Sequence, residues 1–351
     1  MLPKNYNVLN VNPSSTINAC SPYISNSLLN CYCQTKKQII EIFSSDPKFE
    51  NNSFDDAIKI INQYEFIFSK VNGSQLSVSK LKHKTNIFYD LHEIFNNLNI
   101  CEYSKFVNPI QILHVSPNFS DSMDCFKIFR EDLIDTHVFY KNVNDAYNDL
   151  NKFSFIFIET DNSNYLTSLV ESLLVILKNQ THGGNAIIKV SDFFYKPVVD
   201  ALYFLSSLYD KVYICKPNTN NISSFDRYIV CNNFKTNERS NLHLKFNYLK
   251  LLVFIKKLDN KNIVEILDFK IPYYFKNKID DLNIIIGQQQ IDSLDYIVNL
   301  YKNKNNEDKI ENIKKRNIEK SVSWCEKYKI PFNKFTENNN IFLPIDHKIL
   351  T

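Results

Sequence analysis

The stretch GGNAIIKVSDFFYKPVVDALYFLSSLYDKVYICKPNTNNISSFDRYIVCNNF, residues 183–234, decides the fold. After a glycine pair, an apolar run predicts a buried strand at 186–190. A helical segment follows at 196–208, and then two apolar strands, 211–215 and 228–234, are joined by a polar loop without room for a helix. Strands connected through a helix lie parallel, whereas two strands joined by a short loop form an antiparallel hairpin. The stretch therefore predicts the end of a mostly parallel sheet that finishes in a hairpin.

Alternating strands and helices precede this stretch. The predicted strands are 110–115, 136–140 and 153–158, and the helices between them are 120–130, 143–150 and 165–178. Such alternation is typical of a parallel sheet with right-handed crossovers. The helix at 165–178 is expected to end at Gly183 and Gly184, since glycine commonly stops a helix.

Long flanks lie on both sides of this α/β region. We expect an irregular arm at 1–50, helices at 54–68 and 79–98, a helix at about 241–257, a strand-like run at 263–271 and helices at about 291–303 and 307–328. The chain is accordingly divided into an N-terminal arm with helices (1–105), an α/β domain (106–236) and a mainly helical C-terminal extension (237–351).

Composition indicates a folded protein, because 44% of the 351 residues are hydrophobic and 14% aromatic. The net charge of +3 gives no strong indication of nucleic acid or membrane binding. The N-terminus MLPKNYNVLN lacks the organisation of a secretory signal, and no uncharged apolar run reaches about 18 residues. We expect a cytoplasmic protein with reduced cysteines and no membrane association. The eight cysteines lack zinc-ligand spacing, so no metal site is expected.

Lys189 lies inside an apolar strand, where an unpaired ammonium costs several kcal/mol unless it is compensated. One interpretation is a strand-end lysine that reaches solvent. The alternative is a lysine at the carboxyl edge of a parallel sheet, where ligand clefts form in α/β proteins. A Lys-Pro pair after the next strand (216–217) and the run SSFDRY (223–228) favour the second interpretation.

This combination resembles the FtsJ-like RNA ribose methyltransferase family, including cap methyltransferases of large cytoplasmic DNA viruses. In that family a Gly-Gly-x-x-x-x-Lys strand is followed by a Lys-Pro turn and a Ser-Glu-x-Tyr strand. The resemblance covers residues 76–234 and is most specific over 183–234. It implies a class I, Rossmann-like methyltransferase sheet, with the segment before FSFIFI (153–158) one strand short. It further implies S-adenosylmethionine as cofactor, RNA such as capped mRNA and a capping or transcription complex as partners, and a cytoplasmic setting such as a viral factory or virion.

The family transfers a methyl group to the ribose 2′-hydroxyl with a Lys-Asp-Lys-Glu tetrad. The resemblance implies that Lys189 matches the lysine that deprotonates or orients the hydroxyl. It implies Asp161 at the aspartate and Asp226 at the glutamate position. The first lysine should precede the motif LHEI (91–94), where this chain has Asp90, and Lys80, Lys82 and Lys84 could only partly substitute.

The segment SPNFS (116–120) falls where the family's cofactor loop belongs. The implied cofactor contacts are Ser116, Pro117, Asn118 and Phe119. The family uses a Pro-Gly-Gly turn there, because the backbone approaches the cofactor with no Cβ in the way. This chain has no glycine between Gly73 and Gly183. Asn118 tolerates positive φ and could rescue the turn, but it could not restore the close approach.

Two functions follow from the resemblance. With Asp90 in place of the first lysine, Lys189 would stand among three carboxylates instead of two. Carboxylates raise a lysine's pKa, which is the reverse of what a general base requires. One hypothesis is therefore a degraded methyltransferase fold that acts in RNA cap modification as an RNA-binding or stimulatory subunit, comparable with the small subunit of the poxvirus capping enzyme. The other is an active S-adenosylmethionine-dependent RNA 2′-O-methyltransferase with Lys189 as base. His114 is expected to line the core or cleft, and the basic residues of 307–328 to form a solvated face or contact RNA.

Overall fold

The computed structural model of this chain describes residues 1–45, 53–71, 76–83, 85–100, 109–131, 133–161, 163–235, 238–259, 261–303 and 306–333. The strands are β1 (Ser14–Thr16), β2 (Gln111–Val115), β3 (Thr136–Tyr140), β4 (Phe153–Glu159), β5 (Gln180–Val190), β6 (Tyr209–Cys215), β7 (Arg227–Phe234) and β8 (Asn262–Glu265). The helices are α1 (Asn26–Ser45), α2 (Ser53–Ile61), α3 (Ile87–Leu98), α4 (Phe119–Phe129), α5 (Val143–Ala146), α6 (Tyr165–Asn179), α7 (Lys196–Leu208), α8 (Glu238–Lys256), α9 (Tyr273–Lys302) and α10 (Glu307–Lys327).

A six-stranded sheet of order β3-β2-β4-β5-β7-β6 forms the centre of the molecule. Strands β2 to β5 are parallel, and β7 is antiparallel to both β5 and β6. The predicted fold class is therefore confirmed: a mostly parallel α/β sheet ends in an antiparallel hairpin and is flanked by helices.

The sheet separates two apolar layers because alternate residues of a strand point to opposite faces. Ile156, Ile158 and Ile188 pack on one face with α6, α7 and α8. Phe157 and Ile187 pack on the other face with α3, α4 and α10. The side chains of α3 and α10 therefore approach the sheet from the same side.

Several elements differ from the predictions. The arm contains a 20-residue helix, α1, and α3 begins at Ile87 rather than at residue 79. Helix α5 is a single turn, and α9 begins 18 residues before the predicted start at 291. Strand β8 ends at Glu265, since the remainder of the run 263–271 packs without strand pairing.

The glycine pair does not stop α6 as expected. Helix α6 ends at Asn179, and β5 begins directly at Gln180 and contains both glycines. Gly183 has a φ of +74°, and the register between β4 and β5 shifts beside it. The pair thus allows an irregularity in the strand.

Both flanks share the central core. Leu2, Leu9 and Val11 of the arm are buried in the same cluster as the sheet and α8. Strand β1 pairs antiparallel with β8, which joins the arm to the C-terminal extension. The division at residues 105 and 236 stays a prediction. None of the helices in the described ranges combines the length and apolarity that crossing a membrane requires.

Candidate functional site

Lys189 lies one residue before the end of β5, at the carboxyl edge of the parallel strands. Its Nζ is 2.9 Å from Oε1 of Glu159, the last residue of β4. The two residues are register partners, so the ion pair follows from the pairing of the two strands. The side chains are 16% and 19% exposed, respectively. Lys189 is thus compensated by a neighbouring carboxylate and remains partly accessible.

Glu159 also connects this pair to the loop after β2. Its second oxygen, Oε2, accepts a hydrogen bond of 2.8 Å from Ser116 Oγ. Ser116 Oγ in turn accepts the backbone N–H of Asn118 at 3.2 Å. One carboxylate therefore links the carboxyl ends of β2, β4 and β5.

The pKa of Lys189 is raised above its ordinary value. Burial lowers this pKa, but the attraction of Glu159, followed by that of Asp226 and Asp90, outweighs the burial effect. A lysine that acts as a general base needs the opposite change. Lys189 is therefore held in its charged form.

Asp90, in the first turn of α3, is completely buried. Its carboxylate accepts hydrogen bonds from Tyr228 Oη at 2.8 Å, from Asn220 Nδ2 at 3.1 Å and from the hydroxyl of Thr219. Asn86 Nδ2 donates a further bond at 3.1 Å. Burial raises the pKa of Asp90 to about 6, although these bonds and Lys189 oppose the shift. A buried carboxylate thus acts electrostatically on Lys189 from the side of α3.

Lys216 organises the loop between β6 and β7. Its Nζ donates to Asn220 Oδ1 (2.9 Å) and to the carbonyls of Asn221 (2.9 Å), Ser224 (2.7 Å) and Asp226 (3.2 Å). Burial, and then the nearby Arg227, lower the pKa of Lys216 to about 7. The lysine of the Lys-Pro pair therefore closes the loop that carries Asp226.

Glu93 joins the same loop to the C-terminal extension. It is buried in α3 and accepts the backbone N–H and side-chain amide of Asn218, at 3.0–3.2 Å. Trp324 Nε1 of α10 donates to it at 2.9 Å. Burial raises the pKa of Glu93, and these bonds oppose the shift. Glu93 was not among the predicted site residues.

The three predicted catalytic residues occupy different surroundings. Asp226 acts electrostatically on Lys189 and lies in the loop that Lys216 closes. Asp161 is exposed, and its carboxylate accepts the backbone N–H (3.0 Å) and hydroxyl (2.8 Å) of Ser163. These bonds lower the pKa of Asp161. The carboxylate that contacts Lys189 belongs to Glu159, two residues earlier, and Lys84 lies outside the described residues.

Strand alternation could have identified Glu159. In FSFIFIE the side chains of Phe155, Phe157 and Glu159 point to one face. Ile187 and Lys189 share that face in the next strand. The alternation of side chains between the two faces was visible in the sequence. The strand register that brings Glu159 and Lys189 together was not.

Side chains of the predicted cofactor loop, residues 116–119, make contacts within the protein. Ser116 is completely buried, whereas Pro117 and Asn118 are exposed. Asn118 has a φ of −119°, so the turn does not use the left-handed conformation. The Phe119 ring lies 4.5 Å from that of Phe139 in β3.

These residues do not fit S-adenosylmethionine in the way a glycine turn does. The Ser116 hydroxyl is bonded to Glu159, and the Phe119 and Phe139 rings pack together beside the loop. Strand β3 is followed by Lys141 and Asn142, which supply no carboxylate of the kind that holds a ribose in dinucleotide-binding folds.

His114 lines the core, as its position in β2 suggested. It is completely buried, with Nδ1 2.8 Å from Ser122 Oγ and Nε2 3.0 Å from His137 Nδ1. Burial and the neighbouring His137 lower the pKa of His114 well below its usual range. Among the described residues, no group of three or more His, Cys, Asp or Glu side chains could hold a metal ion.

Comparisons with known proteins agree with the resemblance over part of the chain. Residues 83–234 match the FtsJ-like methyltransferase family. This segment contains the sheet, Lys189, Glu159 and Asp90, but it is less than half of the 351 residues. No curated protein matches the chain.

Several solved structures, two of them of a methyltransferase, are distantly similar. Phosphoethanolamine N-methyltransferase 2 of Haemonchus contortus, with phosphomonomethylethanolamine and S-adenosylhomocysteine, is 14% identical over 42% of this chain and 40% of that chain, at a TM-score of 0.29. The same enzyme with S-adenosylmethionine is 14% identical over 41% and 38%, at 0.27. TehB of Haemophilus influenzae is 10% identical over 39% and 62%, at 0.28. The chain spans less than two thirds of each of these structures.

The topology of the sheet and the family match over 83–234 point to the same conclusion. This chain carries an FtsJ-like, Rossmann-like methyltransferase fold in its central part.

Proposed function

We propose that this protein acts in RNA modification as an RNA-binding or stimulatory subunit whose own methyltransferase site is degraded. The observation that carries the proposal is the charge arrangement around Lys189. The lysine is paired with Glu159, and Asp90 lies nearby in place of a second cation. Because the carboxylates of Glu159, Asp90 and Asp226 all act on it, the Lys189 ammonium keeps its proton and is a poor base.

The cofactor loop supports the same proposal. Ser116 and Phe119 make contacts within the protein, and the loop lacks the glycines that allow a close approach of the backbone. We propose that capped mRNA is the RNA, and that a capping or transcription complex, such as that of a large cytoplasmic DNA virus, is the partner. The resemblance of 183–234 to cap methyltransferases is the basis of this assignment.

An active RNA 2′-O-methyltransferase is the alternative. It is favoured by the position of Lys189, which is partly exposed at the carboxyl edge of the sheet, where α/β folds bind ligands. In that case Lys189 would orient or deprotonate the ribose hydroxyl, and Glu159 would position it.

Titration calorimetry with S-adenosylmethionine and S-adenosylhomocysteine separates the two functions. We expect no binding at micromolar concentrations, and no methyl transfer to capped RNA by the isolated protein. Binding of capped RNA should persist in Lys189→Met, as it should in Lys315→Ala, an exposed control on α10. Micromolar cofactor binding, together with methyl transfer that Lys189→Met abolishes and Lys315→Ala preserves, would establish the enzyme instead.

A further inference from the structure

A cavity of about 740 Å³ with both polar and apolar walls adjoins the loop that Lys216 closes. It is lined by the end of α2 and the following turn (60–64), by part of the loop (216–222), by α9 and by α10. Only the loop belongs to the segment that matches the methyltransferase family, and the other walls come from the flanks. The volume is in the range of small-molecule sites.

Positive charge predominates among the side chains that line the cavity. Arg316 and Lys320 line the cavity together with a single carboxylate, that of Asp292, and the buried Lys216 lies in its wall as well. Lys320 Nζ donates to Gln63 Oε1 at 2.6 Å, and Lys216 is bonded to the loop oxygens. Arg316, by contrast, makes no hydrogen bond or ion pair within the described ranges. An excess of cations with one uncommitted guanidinium favours an anionic ligand.

The remaining walls combine amides, phenol rings and aliphatic side chains. Gln289, Asn218, Tyr64 and Tyr296 line the cavity, together with isoleucines of all four segments. Within the part of the chain that the structure describes, neither the Gln289 amide nor the Tyr296 hydroxyl has a hydrogen-bond partner. Single-stranded RNA is recognised by such a combination, because rings stack on bases, amides bond to base edges and cations neutralise phosphates.

We propose that this cavity binds one nucleotide of a single-stranded RNA, with Arg316 on the phosphate and Tyr296 and Gln289 on the base. The inference rests on the proposed RNA-binding function and assigns a site to it. Asn220, which lines the cavity, donates to Asp90 and accepts from Lys216. A nucleotide bound here would therefore lie one residue from the buried carboxylate beside Lys189.

Fluorescence anisotropy with a labelled 12-nucleotide RNA of mixed sequence tests the site on the full chain. Arg316→Ala should weaken binding about tenfold, since it removes one charge-assisted contact. Tyr296→Leu should weaken it by a similar factor through loss of stacking. Lys315→Ala, which removes an equal charge from an exposed position on the same helix outside the cavity, should change binding less than about twofold.

The outcomes separate this inference from the proposed function. Equal losses in Arg316→Ala and Lys315→Ala would show a general basic surface and overturn the cavity site, while RNA binding itself would stand. No binding of RNA by the unaltered protein would overturn the proposed function as well. A nucleoside monophosphate that displaces the RNA at equal concentration would overturn the assignment to a strand. Unchanged thermal unfolding of Arg316→Ala and Tyr296→Leu excludes a folding defect as the cause of their weaker RNA binding.

Discussion

At the residue scale, the buried carboxyl group of Asp90 makes the stability of the folded protein depend on pH. Its pKa is raised by burial to about 6, whereas the ordinary value, expected in the unfolded chain, is 3.8. Between these values the folded protein holds a proton that the unfolded chain has released. Stability from this group is therefore fully present below the lower value and is lost as the pH rises towards the upper one.

We expect Asp90→Asn to remove this dependence. From about pH 4 to about pH 6.5, the free energy of unfolding of the unaltered protein should fall relative to the variant by about 2 kcal/mol. Urea unfolding of both proteins at the two pH values measures the difference, and comparison with the variant cancels the other titrating groups. A constant difference between the two proteins would show that Asp90 does not change protonation in this range.

Lys189 and Glu159 illustrate what sequence reasoning reaches at this scale. The lysine was identified because an ammonium within an apolar strand requires compensation. Its partner was expected at Asp161, which instead bonds to Ser163 at the surface. The resemblance implied only Asp161 after this strand, and the parallel register is what places Glu159 beside Lys189.

At the element scale, the glycine pair in β5 has a structural role that differs between its two members. A Cβ on Gly184 would lie 2.8 Å from the backbone oxygen of Ser154, and would also meet the Gln180 side chain. A Cβ on Gly183 would make only an ordinary contact of 3.9 Å with Asn233 Oδ1, but the φ of +74° strains any residue with a side chain. Position 184 is therefore limited by space, and position 183 by its backbone conformation.

Alanine substitutions should separate these two causes. Gly184→Ala should lower the free energy of unfolding by about 2–3 kcal/mol, because the backbone of β4 must move. Gly183→Ala should cost about 1 kcal/mol from strain alone. Denaturant unfolding of the two variants measures both, and an equal or smaller effect at position 184 would contradict the close packing of β4 and β5.

Sequence periodicity predicted the sheet strands and most helices of the centre, because each has a regular apolar pattern. It failed at α1 and at the first half of α9. Helix α9 has exposed apolar residues, including Ile284 and Ile285, and polar residues in the core, including Asn283 and Gln290. Such a surface does not show the contrast between faces from which a helix is recognised.

At the scale of the whole molecule, the N-terminal arm is part of the central core. Val11 is completely buried, and its backbone N–H donates to Asn247 Oδ1 of α8 at 3.0 Å. Asn247 Nδ2 also donates to the carbonyl of Leu9 at 2.9 Å. The arm thus fixes a helix of the C-terminal extension onto the sheet domain.

Two valines of the arm provide a matched test. Val11→Ala should lower the free energy of unfolding by about 2 kcal/mol, through lost apolar burial and the cavity that remains. Val8→Ala should have almost no effect, because Val8 is 64% exposed. Equal stability of the two variants, measured by urea unfolding, would indicate that the arm does not contribute to the core.

The sequence alone determined the α/β sheet, its closing hairpin and the likeness to FtsJ-like methyltransferases, since these depend on local apolar periodicity and on residues close together in the chain. Only the tertiary structure decided that Glu159 pairs with Lys189, that Asp90 is buried beneath the loop 216–226, and that the flanks build a cavity next to it. These features join residues that are tens to hundreds of positions apart. Strand register and helix packing set such contacts, and neither is recorded in the local pattern of one chain.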